Sequence, residues 1–454
     1  MTVLRLAIFL LFCCIAYPAA FQAQAVAGKD TDAVAPVMAV DDAVSIALEN
    51  NRLIKNALLE AEKYEFRISS TRSRRLPELN ISVLQSELLN PVDFTFLRGV
   101  FGVFPGIGPV PGVDTKIRTP ARLNTLAMGS INQPITQQYR IGLGLQAQKL
   151  GREISREDVR AMRQKIANEV RAAYFHLVAT QSGLEAARQS VKTLQEVQLI
   201  TQRYEAEQTV LKGDLLQVQA RLAKQQYQLA VANNVIAIQS EHLNQLLGRD
   251  LSTGFRVKGM PEENEGELTL ELARRRAVEN RPEMRQVLLK ERQAEYDRRI
   301  AKAAYIPDLS FIVGYLGIRS IELVPNNVAA AGLYLSWEPF DWGRRRDVIA
   351  EKSKTVEQAS NGGRETESQI AVEVGINFRK WQEAGLLLKA DRAAQEAAAE
   401  QFRVTTNKFK EQAALLKDML QAEAQSAEAD FQYQQVLSQY WSTLADLRKS
   451  MGEE

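Results

Sequence analysis

The chain has 454 residues and carries 57 Lys and Arg against 55 Asp and Glu, a formal net charge of +2. A nucleic-acid-binding protein usually shows a strong basic excess, so this balance argues against that class. Two cysteines and two histidines are too few for a disulfide scaffold or for a zinc site built from Cys and His. We therefore expect no metal centre, no cofactor and no nucleic-acid partner.

The N-terminus has the pattern of a secretory signal peptide. Arg5 precedes an apolar run from Leu6 to Ala16, and Ala23-Gln24-Ala25 then provides a small-residue cleavage site. The apolar run is shorter than the roughly 20 residues that a membrane-spanning helix needs. We predict a signal peptide at residues 1–25, which would remove both cysteines from the mature chain.

The remainder of the chain contains an internal repeat. Ala47-Leu48-Glu49-Asn50 recurs as Ala277-Val278-Glu279-Asn280, 230 positions later, and Leu76-Pro77-Glu78-Leu79 recurs as Ile306-Pro307-Asp308-Leu309 at the same spacing. Farther along the chain the spacing falls to 205, because the first copy carries a segment rich in Pro and Gly at 90–122.

The repeat predicts two structural units rather than two unrelated domains. The first would cover residues 26–256 and the second residues 257–454, joined through a polar linker near 257–267 that contains Gly259 and Pro261. Each copy shows the same order of elements: helix, strand, loop, strand, very long helix, tight turn, helix.

In the first copy, apolar residues at three- and four-residue steps predict a helix over about 41–75, ended by Pro77. Alternation after Pro77 predicts a strand that includes Leu79, Ile81 and Val83, and a second strand is expected at about 126–134. The insertion at 90–122 is expected to be an external loop.

Two proline-free segments follow, about 152–206 and 213–247, and they are rich in strong helix formers. At 1.5 Å per residue, the first would be a helix on the order of 80 Å long, which no compact globular domain needs. The second copy predicts strands at about 308–318 and 328–338. It also places Gly362-Gly363 inside its long helix, where we expect a kink or a break.

The strand count implies association of chains, provided that these are membrane strands. Each strand has the length of a tilted membrane-spanning strand. A sheet of four has two open edges, which cannot face lipid, and a closed membrane barrel needs about eight strands or more. Two chains would supply about eight strands and three about twelve. The alternative is a soluble hairpin on a periplasmic coiled coil.

The double repeat and the helix-Pro-x-Leu-strand junctions resemble the TolC-like outer-membrane efflux proteins. The first helical hairpin resembles the same family from end to end. Its motifs are Arg203-Tyr204-Glu205-Ala206, then Asp214-Leu215-Leu216-Gln217, and finally Leu246-Leu247-Gly248-Arg249. The resemblance covers about residues 40–450. It implies an α+β membrane protein in which a homotrimer forms a β-barrel of about 12 strands, four per chain, joined to a long α-helical tunnel.

The resemblance also implies location and partners. The barrel would lie in the outer membrane of a Gram-negative bacterium, in contact with its lipid, and the helices would extend into the periplasm. A periplasmic adaptor protein and an inner-membrane transporter of the RND or ABC class would complete an efflux or type I secretion system.

Candidate site residues follow from the resemblance at the two helical turns. Arg203, Tyr204 and Glu205, with Lys408 and Phe409 in the second copy, match the surface that receives the adaptor. Asp418 matches an aspartate that lines the periplasmic entrance, and Asp214 is its counterpart in the first copy.

The match is incomplete. Gln421 stands at the pore-lining position where the best-known member of the family has a second aspartate, and Ala414 stands where it has an arginine. The resemblance therefore does not carry over a gate latched by those charges. Asp214 and Asp418 also suit the N-cap of a helix, so a capping role alone and a capping role combined with pore lining both stay open.

We expect no enzymatic activity, because no nucleophile and base occur in a recognisable arrangement. His176 and His242 are far apart in the sequence and lie in separate long helices, each without a nearby His or Cys. We expect solvated or packed histidines rather than metal ligands. The main alternative function is a periplasmic coiled-coil adaptor or scaffold without a membrane barrel. Adaptors also contain lipoyl-like and β-barrel domains, and we find no segment of this sequence that would form either.

Overall fold

The computed structural model describes residues 36–87, 89–119, 123–260, 268–319, 327–411 and 413–454. The predicted signal peptide at residues 1–25 and the end of the predicted linker, 261–267, lie outside the described residues. Each half of the chain has the order short helix, helix, strand, strand, very long helix, helix.

Helices form most of the described structure. Their bounds are α1 Val40–Asn50, α2 Arg52–Ser73, α3 Gln137–Ala206, α4 Lys212–Leu247, α5 Leu270–Asn280, α6 Pro282–Ala303, α7 Arg344–Lys410 and α8 Leu416–Ser450. With 70 residues, α3 is about 105 Å long at 1.5 Å per residue. No helix in the described ranges combines the length and the apolar character needed to cross a membrane.

The strands form one principal sheet and three small pairs. Their bounds are β1 Val37–Met38, β2 Glu78–Glu87, β3 Val92–Phe96, β4 Val103–Phe104, β5 Gly108–Pro109, β6 Thr115–Thr119, β7 Leu123–Pro134, β8 Arg256–Val257, β9 Asp308–Arg319 and β10 Asn327–Ser336. The described part of the insertion, residues 90–119, extends the β2–β7 hairpin, with β3 paired to β6 and β4 paired to β5.

The principal sheet is antiparallel with the order β10-β9-β7-β2 and has an apolar face. Two neighbouring cross-strand rows on this face are Ile81, Gly129, Tyr315, Ala329 and Leu79, Ile131, Val313, Ala331. The other face is mixed, as in the row Asn80, Ser130, Gly314, Ala330. Alternation between an apolar and a mixed face is the pattern of membrane-barrel strands.

The edges of this sheet are open. Every residue of β2 and β10, the two edge strands, is exposed. Open edges are not viable in lipid, because the unpaired backbone groups would have no hydrogen-bond partner. Neighbouring copies of the chain that pair β10 with β2 would satisfy these groups.

The long helices pack into a layer in which α3 and α8 are central. Antiparallel α4 contacts α3, α8 contacts both α3 and α7, and α2 and α6 pack on α3. Small residues permit this close packing: a Cβ on Gly151 of α3 would lie 2.6 Å from the Cε1 atom of Tyr64 of α2.

The largest apolar core lies at mid-height of the helical layer, beneath the short helices. Tyr174 of α3 is almost fully buried there, and its hydroxyl oxygen is 2.8 Å from the Met38 carbonyl oxygen and 2.9 Å from the Lys258 carbonyl oxygen, so these two acceptors share its one proton. These bonds fasten the parallel β1–β8 pair onto α3. Burial raises the pKa of Tyr174.

The predicted helix at 41–75 is wrong as a single helix, because α1 and α2 are separated at Asn51. The Asn51 side-chain oxygen accepts from the backbone N–H groups of Leu53 (2.8 Å) and Ile54 (3.4 Å), which caps α2. Its side-chain amide donates to the Leu246 carbonyl at 2.8 Å. A buried cap tied to α4 therefore interrupts the periodic pattern.

Two further helix predictions need correction. The helix α3 begins at Gln137 rather than near 152, and α7 runs without a break through Gly362-Gly363. In α7, Gly363 lies against α6, with a Val287 methyl carbon 4.0 Å from the position of a Cβ. Each glycine costs a helix only about 1 kcal/mol relative to alanine. Packing against α6 offsets this cost.

Candidate functional site at the helical turns

The two helical turns of the chain lie together at one end of the layer. The rings of Tyr204, near the end of α3, and Phe409, near the end of α7, meet edge to face with their centroids 6.3 Å apart. The Tyr204 hydroxyl also donates to the Lys410 carbonyl at 3.5 Å. The structure thus brings together two residues predicted for one site from different halves of the sequence.

A small apolar cluster supports the two turns. Its buried members come from α3, α4, α7 and α8: Val197, Val218, Phe409, Leu416 and Met419. Burying a large apolar side chain contributes about 1.5–3 kcal/mol, so this cluster holds the turns together as one unit, which we call the tip.

The tip aspartates do not occupy the predicted N-cap positions. Asp214 is the third residue of α4, whose N-cap is Leu211, and its carboxylate accepts from the Leu211 backbone N–H at 3.0 Å. Asp418 has the same third position in α8, whose N-cap is Leu415. Both carboxylates complement the positive end of a helix dipole, and Asp418 is the more exposed.

The residues predicted to bind the adaptor differ in exposure. Arg203 and Lys408 are exposed, Tyr204 and Glu205 are partly buried, and Phe409 is only 4% exposed. Phe409 can therefore support a docking surface through Tyr204, but it offers almost no surface of its own. Gln421, the predicted third pore-lining residue, is exposed on α8.

Two tip residues escaped the sequence reasoning. Leu211 and Leu415, the N-cap residues of α4 and α8, are 76% and 70% exposed. Contiguous exposed apolar patches rimmed by polar residues mark protein-binding surfaces. The signal was present in the sequence, because each leucine precedes its tip aspartate at the same spacing in both copies.

A buried charge lies within α8, beyond the tip. Glu423 has only 2% of its side chain exposed and pairs with Arg221 of α4, whose Nε and Nη2 atoms are 2.9 and 2.8 Å from Oε2. The Ser190 hydroxyl of α3 donates to the other carboxylate oxygen. Three helices from both halves of the chain therefore meet at one carboxylate.

Together these elements define a class of protein: a membrane channel subunit whose sheet has a lipid-facing side and whose helical hairpins extend far beyond it. The chain belongs to the outer membrane efflux protein family, whose model matches residues 43–249 and 273–453. It is accordingly an outer-membrane channel protein that acts as a homotrimer with a periplasmic adaptor and an inner-membrane transporter. Its helices extend into the periplasm, and family membership argues against the adaptor or scaffold alternative.

Solved structures show the same fold at low sequence identity. The Campylobacter jejuni outer membrane channel CmeC is 16% identical, with a TM-score of 0.73 over 91% of this chain and 85% of CmeC. A membrane protein from Pseudomonas aeruginosa is 18% identical, with a TM-score of 0.73 over 97% and 96% of the two chains. The open state of the Neisseria gonorrhoeae MtrE channel is 17% identical, with a TM-score of 0.68 over 91% and 89%. No curated protein matches the sequence of this chain.

Proposed function

We propose that the tip is both the entrance of the export duct and the surface on which the adaptor docks. The contact between Tyr204 and Phe409 carries this proposal, because it joins the two turns into one end surface. Leu211 and Leu415 add apolar contact area to that surface, and Arg203, Glu205 and Lys408 give it charge. The chain would catalyse no reaction itself, and the energy would come from the inner-membrane transporter.

Docking can be tested by photo-crosslinking in cells. We would place p-benzoylphenylalanine at Leu211 or Leu415, with Arg72 as the control site, since Arg72 is exposed near the end of α2 that leads into the β-sheet. Mass spectrometry should identify a periplasmic adaptor captured from both leucine positions and not from Arg72. Equal capture from Arg72, or capture from neither leucine, would contradict docking at the tip.

Pore lining by the tip aspartates is a separate proposal. Three copies of Asp418 around a narrow entrance would form a ring of carboxylates that favours cations. We expect Asp418→Asn to lower the cation preference in single-channel bilayer recordings, and Gln421→Asp to raise it. The matched control is Asp347→Asn at the far end of α7, an exposed aspartate paired only with Arg346 in the described structure. An unchanged reversal potential in both tip variants would limit Asp418 to helix stabilisation.

We also propose that residues 26–256 and 257–454 are two copies of one unit. Two equivalent glycines with positive φ, Gly248 (+70°) and Gly452 (+82°), support this division. Each follows the last long helix of its half and packs on the junction between the two short helices of that half. A Cβ at Gly248 would lie 2.5 Å from the Asn50 carbonyl oxygen, and one at Gly452 would lie 2.8 Å from the Arg281 nitrogen.

A further inference from the structure

Both histidines of the chain line one groove between α3 and α4. The groove has a volume of about 360 Å³ and is open to solvent. Its lining residues are Glu169, Ala172, Ala173, His176, Gln239, His242 and Leu246. The two histidines, 66 positions apart in the sequence, thus line the same groove.

The antiparallel hairpin explains why these distant residues meet. His176 lies as many positions before Ala206, the last residue of α3, as His242 lies after Lys212, the first residue of α4. At 1.5 Å per residue, both are about 45 Å from the turn. Two positions far apart in the sequence thus lie at the same height on two adjacent helices.

His176 is held in an orientation that suits a ligand to a metal. Its Nδ1 atom is 3.1 Å from the hydroxyl oxygen of Ser438 on α8, and Ser438 is only 2% exposed. When Nδ1 carries the proton and donates it to this hydroxyl, the lone pair of Nε2 is free. Histidines that bind metals usually have such a partner on the second ring nitrogen, which fixes the ring and the tautomer.

A carboxylate lies in the same groove. Glu169 lines it beside the two histidines. The nearest ion-pair partner of Glu169, the Lys165 ammonium, is 3.9 Å away. At that distance the ion pair is weak, so this carboxylate can accept a hydrogen bond from a water molecule held by an ion in the groove.

We propose that this groove binds a divalent transition-metal ion through the imidazoles of His176 and His242. Imidazole favours Zn²⁺, Ni²⁺ and Cu²⁺, whereas Mg²⁺ and Ca²⁺ favour oxygen ligands. Within the described ranges, no three His, Cys, Asp or Glu side chains are grouped closely enough to hold a metal. Water therefore completes the coordination, with Glu169 available to accept hydrogen bonds from it, and the site is weaker than a structural zinc centre.

The test uses the purified full-length trimer in detergent, freed of metal and of any affinity tag. Isothermal titration with NiCl₂ should show about one ion per chain, and MgCl₂ in excess should not compete. His176→Gln and His242→Gln should each weaken Ni²⁺ binding by at least about tenfold, since each removes one of two protein ligands. Ser438→Ala should weaken binding by a smaller factor without changing the stoichiometry, because Ser438 positions a ligand and is not one itself.

Electron paramagnetic resonance of bound Cu²⁺ gives a second readout. The spectrum should show coupling to two imidazole nitrogens in the wild type and to one in each histidine variant. Native gel electrophoresis would check that every variant remains a trimer. Unchanged Ni²⁺ affinity in the double variant, or no binding by the wild-type trimer up to about 1 mM, would overturn the proposal. Neither result would depend on channel conductance or on adaptor docking.

Discussion

Removal of the Glu423 carboxylate should loosen the contact between the two helical hairpins. Glu423 is 2% exposed, and its carboxylate accepts from Arg221 and Ser190. Loss of one partner of a buried ion pair costs about 3–5 kcal/mol, because the other charge is left uncompensated. The Arg221 side chain is 22% exposed and can regain part of its hydration, so we expect the lower end of this range, about 3 kcal/mol, for Glu423→Ala.

Hydrogen exchange measured by mass spectrometry is the appropriate assay, since it reports local opening without requiring reversible unfolding of the trimer. Every 1.4 kcal/mol corresponds to a factor of ten, so about 3 kcal/mol predicts exchange about a hundredfold faster. The effect should be confined to segments of α3, α4 and α8 around the ion pair. The matched control is Glu428→Ala, farther along α8, where an exposed glutamate contacts only Gln432 in the described structure.

A second variant separates loss of charge pairing from loss of packing. Replacement of both partners, as in Arg221→Met with Glu423→Met, removes the buried charges and keeps the volume. Such hydrophobic replacements of buried pairs are often neutral or stabilising, so exchange in this double variant should approach that of the wild type. The reasoning would be refuted if Glu423→Ala exchanged within about threefold of Glu428→Ala.

Two further substitutions test the fold. Gly248→Ala should destabilise the chain by about 1–3 kcal/mol, since φ is +70° and the new Cβ would lie 2.5 Å from a carbonyl oxygen. Gly254→Ala, with no atom within 4 Å of the new Cβ, is its control, and equal thermal stability of the two variants would contradict the contact argument. Tyr315→Arg on the apolar face of the sheet should cost about 2–4 kcal/mol and reduce the trimer recovered in outer-membrane fractions. Ser130→Arg, on the opposite face of the same sheet, should be tolerated, and equal losses would show that the lipid-facing side is assigned incorrectly.

Local chemistry explains which elements the sequence predicts well. The helix predicted at 213–247 is observed at Lys212–Leu247, because strong helix formers fill it and Gly248 ends it in the left-handed conformation. The strand predicted at 308–318 is observed at Asp308–Arg319, because the repeat places it directly after a helix ended by Pro307, as β2 follows Pro77.

The errors arise where a tertiary contact outweighs local preference. The sequence places the start of α3 too late, since Gly142, Gly144 and Gly151 weaken the helical signal of that segment. One of these glycines is needed for packing, because a Cβ on Gly151 would lie 2.6 Å from the Cε1 atom of Tyr64. The break between α1 and α2 depends likewise on the bond from Asn51 to Leu246, which is distant in the sequence. Neither contact leaves a periodic trace in the sequence.

The family resemblance is what points to the tip, through Tyr204 with Phe409 and Asp214 with Asp418. Leu211 and Leu415 also recur at the same spacing in the two copies, yet repetition alone does not single them out. The positions of His176 and His242 also recur, since Lys380 and Asp446 are placed in the same way relative to the end of α7 and the start of α8. The positions that hold two imidazoles in the first hairpin thus hold a lysine and an aspartate in the second, and the Asp446 carboxylate accepts from Asn168 of α3 at 2.7 Å. Only the first hairpin can bind a transition metal there, and this asymmetry is why the expected stoichiometry is one ion per chain rather than two.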